Sequence, residues 1–344
     1  MFCSQCGNKI KDNTAFCPLC GKEIKAATKD SFKEDKLLQK QFGGIEKKRA
    51  MRVVALVAVI VTVVVCGIGI STSFGGKTLS VEVEENVDDY TWSELSTISD
   101  EISAAQTDDE AIEIAKHYNL VNTNGTLDGT QRKNVVLNDR GVSIATSVQI
   151  AGFNHDEKTD GSGKAGISFI FTDAINFDAM SFRPSNEGGW EQSHAREWLQ
   201  EEGFGMLPDD LQTAIVSVNK ATNNVGYTQE IASVTRTSDS LWLFSFAEVC
   251  DEDDLEQGLP DWLTSIYQAE GSQYKLFKDC AVEKESSNEI LIKSYLSNGG
   301  TNSWALRTPD ATYADSYYYV EFDGCPGACS FSSQGYGYVP GFCV

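Results

Sequence analysis

Histidine is scarce in this chain. His117, His155 and His194 are the three in 344 residues, and none falls in a recognisable metal-ligand motif. Neither H-E-x-x-H nor G-x-S-x-G occurs, which removes the zinc-protease and serine-hydrolase arrangements. No catalytic constellation is visible, so an enzyme is not the expected reading. Positive charge is scarce beyond residue 52. Residues 1–52 hold 12 of the 28 Lys and Arg and 6 of the 50 Asp and Glu, leaving 16 basic against 44 acidic side chains for the remainder. A region so acidic repels phosphates, so nucleic acid is not an expected partner of it.

Charge of either sign is absent from residues 53–70, VVALVAVIVTVVVCGIGI. At 1.5 Å per residue this run spans about 27 Å, close to the hydrocarbon thickness of a bilayer. It is apolar on all faces in an otherwise polar chain, which argues against a buried core helix. The 52 residues before it are too long for the leading region of a cleaved signal peptide. The expectation is an uncleaved transmembrane helix. Ten Lys or Arg lie in residues 22–52, ending in Lys47, Lys48, Arg49 and Arg52, whereas residues 71–90 hold only Lys77 against five acids. The positive-inside rule then puts the N-terminus in the cytoplasm and the C-terminal region outside. The basic stem would also attract anionic lipid head groups.

The N-terminal stretch CSQCGNKIKDNTAFCPLCG (residues 3–21) has two C-x-x-C-G units. Cys3, Cys6, Cys17 and Cys20 supply four thiolates, a common closed set for structural, tetrahedral Zn²⁺. Gly7 and Gly21 let the chain turn back tightly after each pair. Two disulfides are the alternative, and a cytoplasmic N-terminus disfavours them. The stretch resembles short bacterial zinc ribbons, in which the metal supplies most of the folding free energy. Its thin basic surface, Lys9 and Lys11 beside Phe2 and Phe16, suits docking to a protein or capping the N-terminus better than nucleic acid.

These features divide the chain into a zinc ribbon (1–24), a basic cytoplasmic linker (25–52), a transmembrane helix (53–70), an acidic linker (71–90), a helical segment (91–130) and an α+β domain (131–344). Thr91-x-x-Glu94 and Thr107-x-x-Glu110 fit capping boxes, predicting helices over 92–105 and 108–118. Residues 122–130 read as a turn. Their Asn and Asp spacing is similar to a calcium loop but lacks the twelfth-position Glu.

From Lys133 the apolar period becomes two, predicting strands around 142–150 and 166–171. His155, Asp156 and Asp160 lie between them, as candidate metal ligands or, by the stronger reading, parts of an exposed hairpin loop. Trp190, Ala195, Trp198 and Leu199 fall on one side of a predicted helix, with Arg196 near Gln192 or Gln200. Pro208, Asp209 and Asp210 open another. Residues 241–249, 303–309, 316–322 and 336–344 read as strands.

Four motifs then occur in order: W-x-x-S-x-x-R-x-W-L (Trp190–Leu199), L-W-L-x-S-x-x-E (Leu241–Glu248), W-x-L-R-x-P (Trp304–Pro309) and an aromatic C-terminal strand (Gly337–Val344). Together they resemble a bacterial surface domain of unknown function, number 6273, over roughly residues 90–344. The arginine of that family's G-V-R-P-A ending is missing from Gly337-Tyr338-Val339-Pro340-Gly341-Phe342. The motif order is also similar to the C-type-lectin and sulfatase-modifying-factor fold. That resemblance implies a terminal strand returning beside the first and a loop-rich half bearing ligand sites. Trp190, Trp198, Trp242 and Trp304 are expected in the core, with Arg196 and Arg307 paired to buried carboxylates by default or, as the alternative, binding a ligand.

Five cysteines lie beyond the apolar run: Cys250, Cys280, Cys325, Cys329 and Cys343. Cys325 and Cys329 flank a Pro-Gly turn and are expected to form a disulfide. The functional expectation is a single-pass surface protein whose extracellular lectin-like domain binds an unidentified glycan or protein. The alternative is an extracytoplasmic enzyme using cysteine chemistry, redox or copper-thiolate.

Overall fold

A computed structural model describes residues 81–251, 253, 258–296 and 299–344. The zinc-ligand candidates Cys3, Cys6, Cys17 and Cys20, the basic stem and the 53–70 run lie outside the described residues. Among the described residues no helix is long and apolar enough to cross a membrane.

The described chain is mixed α+β. Both N-terminal helices form close to their expected bounds, α1 at Trp92–Ser103 and α2 at Asp108–His117. Thr91 and Glu94 complete a reciprocal capping box. Thr107 caps Glu110 N, but the Glu110 carboxylate accepts from Gln106 N instead of Thr107 N. The apolar stripe of α1 lies on a sheet: Trp92 meets the rings of Phe169 and Phe342 edge-on at 5.5 and 5.8 Å. Gly166 makes this approach possible, because a Cβ there would sit 1.9 Å from Ser99 O.

That sheet contains β1 (Arg132–Asp139), β2 (Val142–Phe153), β3 (Ile167–Phe171), β15 (Pro340–Cys343) and β8 (Trp242–Leu243), in that order. Arg140 and Gly141, both at positive φ, make the two-residue turn between β1 and β2. A second five-stranded sheet runs β13 (Pro326–Phe331), β12 (Ser316–Val320), β11 (Trp304–Pro309), β14 (Gly335–Tyr338) and β5 (Asn176–Ala179). Smaller pairings join β4 (Asp173–Ala174), β9 (Lys293–Tyr295) and β10 (Thr301–Asn302), and β6 (Val218–Asn223) with β7 (Val234–Asp239).

Two expected strands differ. Residues 336–344 are not one strand: the chain breaks at Val339 and passes from the second sheet to the first. Proline at 340 has no N–H to continue a ladder. The terminal strand β15 settles between β3 and β8, with β2 and β3 separating it from β1. Residues 241–249 are also not one strand. Only Trp242–Leu243 pair, and Phe246–Val249 forms a helical turn capped reciprocally by Ser245 and Glu248. The S-x-x-E box within the motif overrides the aromatic β-propensity.

Candidate functional site

The three internal motifs interlock as joints of the fold. Ser193 caps the short helix α3 (His194–Trp198), accepting from Arg196 N at 3.1 Å and donating to Trp190 O at 2.9 Å. Trp190 Nε1 and Arg196 Nε then converge on the two oxygens of buried Asp239, at 2.9 and 2.7 Å. Arg196 therefore reaches across to β7 rather than along its own helix. Trp304 Nε1 donates to Leu291 O at 2.9 Å. Arg307 forks onto Glu248, the last residue of the second motif. Trp190, Trp242 and Trp304 are fully buried, whereas Trp198 is half-exposed.

Around Arg307 lies a network of charges without solvent. Lys220 Nζ is 2.7 Å from Asp156 Oδ1 and 2.5 Å from Glu248 Oε1. Glu270 accepts from Asn223 N at 2.9 Å and bonds Thr308 Oγ1. Burial alone raises the Asp156 carboxyl, but Lys220 and His155 pull it well below the usual range. Burial likewise raises Glu248, and Arg307 and Lys220 more than reverse this. For Glu270 burial wins over Arg307, and its carboxyl is pushed up to about 7.

Asp156 is thus a correction to the exposed-loop expectation: it is 4 % exposed, while Asp160 remains on the surface. His155 stacks on Tyr274 at 3.7 Å between ring centroids. Among the described residues no group of three or more His, Cys, Asp or Glu could hold a metal ion. His117 ends α2 as expected. His194 is not freely exposed but lies 3.1 Å from Asp178 Oδ2 and against Phe182.

The expected Cys325–Cys329 disulfide is absent, and both are free thiols. Residues four apart along an extended strand are separated by about 13 Å, beyond the reach of a disulfide. Burial and Asp310 push the Cys329 thiol up to about 11. Burial and Asp323 raise Cys325 as well. Both shifts run opposite to those of a reactive thiolate.

An accessible groove of about 540 Å³ lies beside Trp198. Its floor and walls include Trp198, Tyr295, Ile144, Ile175 and Met206, and its rim carries Asn138, Asp139, Arg140, Asn176, Glu201 and Glu202. One wall is a π-helical turn, Leu199–Gly203, directly after α3. Such turns are uncommon and occur frequently at functional sites. Gly203 permits it to fold under the Trp198 ring, since a Cβ would lie 2.9 Å from that ring. The β1–β2 turn forms the opposite rim, held by Asn138 N donating to Met206 O at 2.8 Å. Arg140 reaches Glu202 at 3.1 Å across the opening. Three carboxylates against one guanidinium leave the groove negative, which disfavours anionic ligands. Sequence reasoning missed Arg140 and Tyr295 because only the fold brings them to Trp198, and it missed Glu201 and Glu202, three and four positions after Trp198, because a surface acidic pair is ordinary in so acidic a chain.

A model of the domain of unknown function DUF6273 matches residues 165–344, more than half of the chain, and takes in all four motifs. The chain belongs to the DUF6273 family. The match to DUF6273 begins at residue 165, well after residue 90. A zinc-ribbon domain matches residues 2–24, which suggests zinc binding there. No curated protein and no solved structure matches the chain. Arg140 and Ile144 of the groove lie ahead of the DUF6273 match, and Trp198, Glu201, Glu202 and Tyr295 lie inside it.

Proposed function

We propose that the chain is a single-pass membrane protein whose outer, lectin-like unit binds an uncharged glycan in the Trp198–Tyr295 groove. The 53–70 run anchors it, the basic stem contacts lipid, and the zinc ribbon is a small structural cap on the cytoplasmic side. The groove carries this reading. Half-exposed aromatic rings offer flat apolar faces to the C–H side of a sugar. Asp139, Asn138, Asn176, Glu201 and Glu202 offer acceptors to its hydroxyls. The volume lies within the range typical of ligand sites.

The test is an array of neutral, acidic and cationic glycans, including cell-wall fragments, probed with the full chain in detergent. Saturable binding that favours neutral sugars is expected. Uniform absence of binding, or a preference for anionic sugars, rejects the reading.

A further inference from the structure

The buried Lys220–Asp156–Glu248 cluster has the parts needed for a covalent reaction, independent of the groove. A primary amine and a carboxyl group touch, with Lys220 Nζ 2.7 Å from Asp156 Oδ1. A second carboxylate, Glu248 Oε1, lies 2.5 Å from the same nitrogen. On its far side Asp156 Oδ2 accepts from Tyr274 Oη at 2.7 Å and Ser168 Oγ at 2.8 Å. Trp242 and Tyr274 place their rings 4.5 and 5.4 Å from the ammonium. Lys220, Asp156 and Glu248 are all within 4 % exposure.

We propose that Lys220 and Asp156 condense spontaneously after folding into an intramolecular amide bond, with Glu248 as the proton carrier. The bond that forms joins Lys220 Nζ to Asp156 Cγ. The bond that breaks is from Cγ to one carboxyl oxygen. Of the three ammonium protons, one stays on the amide nitrogen and two leave with that oxygen as water. Glu248 takes the first proton from Lys220, freeing the nitrogen lone pair, and delivers it toward the departing oxygen. Tyr274 and Ser168 donate to the carboxyl group and stabilise negative charge as the tetrahedral centre develops. No oxidant, reductant or cofactor enters the balance.

Three physical features favour this reaction here. The fold holds nucleophile and electrophile in contact, which replaces an encounter by a unimolecular step. Condensation removes one cation and one anion together, and so relieves the desolvation penalty of a buried ion pair. It also leaves the network balanced, because Arg307 stays forked onto Glu248. The released water leaves a site with no solvent exposure, which opposes hydrolysis of the new bond. The product would staple the β2–β3 loop to β6, two elements that already bridge at Lys158 and Val218.

Denaturing mass spectrometry of the purified full chain tests this directly. The expected mass is lower than the sequence requires by one water molecule. Trypsin should yield one branched peptide joining residues 141–158 to residues 197–236, with no cleavage after Lys220. Lys220→Arg should restore the full mass. Glu248→Gln should also retain the full mass while circular dichroism shows a folded chain. A wild-type chain of full mass that is cleaved after Lys220 overturns the proposal. So does a Lys220→Arg chain that still lacks one water. A Glu248→Gln chain that condenses completely overturns the role given to Glu248.

Discussion

Arg307 and Glu248 meet as a bidentate pair inside the protein, with neither side chain reaching solvent. Arg307 comes from the third motif and Glu248 from the second, so the pair joins β11 to the Phe246–Val249 turn. Its remaining N–H groups go to Thr222 Oγ1 at 2.8 Å, Leu243 O at 2.8 Å, and Ala221 O and Glu270 O at 3.2 Å. A guanidinium fully satisfied in this way holds four segments in register. Lysine, with no planar fork, cannot make the same set.

Removing one partner leaves a buried charge uncompensated. Arg307→Met is expected to destabilise the chain by about 3–5 kcal/mol. Arg307→Met combined with Glu248→Leu should recover much of the loss, because the orphaned charge is gone. Urea denaturation of the wild type, both single variants and the double variant measures this. A single-variant loss below about 0.5 kcal/mol, the usual size of a surface change, contradicts the central role of the pair.

Two buried groups make stability depend on pH in opposite senses. Burial pushes Glu270 up to about 7, so the folded chain holds a proton there that the unfolded chain has released. The resulting stabilisation is present below about pH 4.5 and is lost as pH rises to about 7, amounting to about 3 kcal/mol. Burial, with Arg132 adding to it, lowers Lys293 to about 7. There the folded chain has released a proton that the unfolded chain keeps. That stabilisation is present above pH 10 or so, at the ordinary lysine value, and is lost as pH falls towards 7. Glu270→Gln should flatten the acidic arm of the stability profile, and Lys293→Met the alkaline arm. Thermal melting across pH 4–10 shows whether each arm responds to its own substitution alone.

Much of the fold could be read from local chemistry, because local chemistry made it. Thr91–Glu94 capped a helix, and the period-two run after Lys133 paired as β1 and β2. Where reading failed, two local preferences competed. The aromatics of residues 241–249 favour a strand, but Ser245 and Glu248 satisfy backbone N–H groups reciprocally and turn the chain into a helix. Asp156 looked exposed because its neighbours are Gly, Ser and Lys. Its burial depends on Lys220 and Tyr274, which lie 64 and 118 positions away. Trp190, Trp242, Trp304 and the motif arginines were legible as structural because large apolar area and paired charge are general needs, whereas Trp198, expected in the core, is half-exposed on the groove. The groove was not, since Arg140, Trp198 and Tyr295 share no sequence neighbourhood and no spacing rule.

Zinc at the N-terminus is testable separately from the α+β unit. Four cysteine thiolates closing a tetrahedral site would bind a single ion per chain. Cys17→Ser should reduce the zinc measured by atomic emission to background, and a strong chelator should strip the wild type. The melting transition of the α+β unit should not move, since none of its described residues belongs to the ribbon. Full zinc retention in Cys17→Ser would place the metal elsewhere.

The groove reading depends on its aromatic faces more than on its charges. Trp198→Ala and Tyr295→Ala each remove a ring from the lining. Each should weaken binding of the best glycan by about 2 kcal/mol, roughly thirty-fold. Arg140 is exposed, and its pair with Glu202 lies at the surface. Arg140→Ala should therefore change affinity by less than about 1 kcal/mol. Glu201→Gln combined with Glu202→Gln makes the groove less negative and should relax the discrimination against anionic sugars. Phe322, exposed and absent from the groove lining, serves as the control. Isothermal titration of all these variants separates a ring-driven site from a charge-driven one. If Phe322→Ala loses as much affinity as Trp198→Ala, the ligand binds elsewhere.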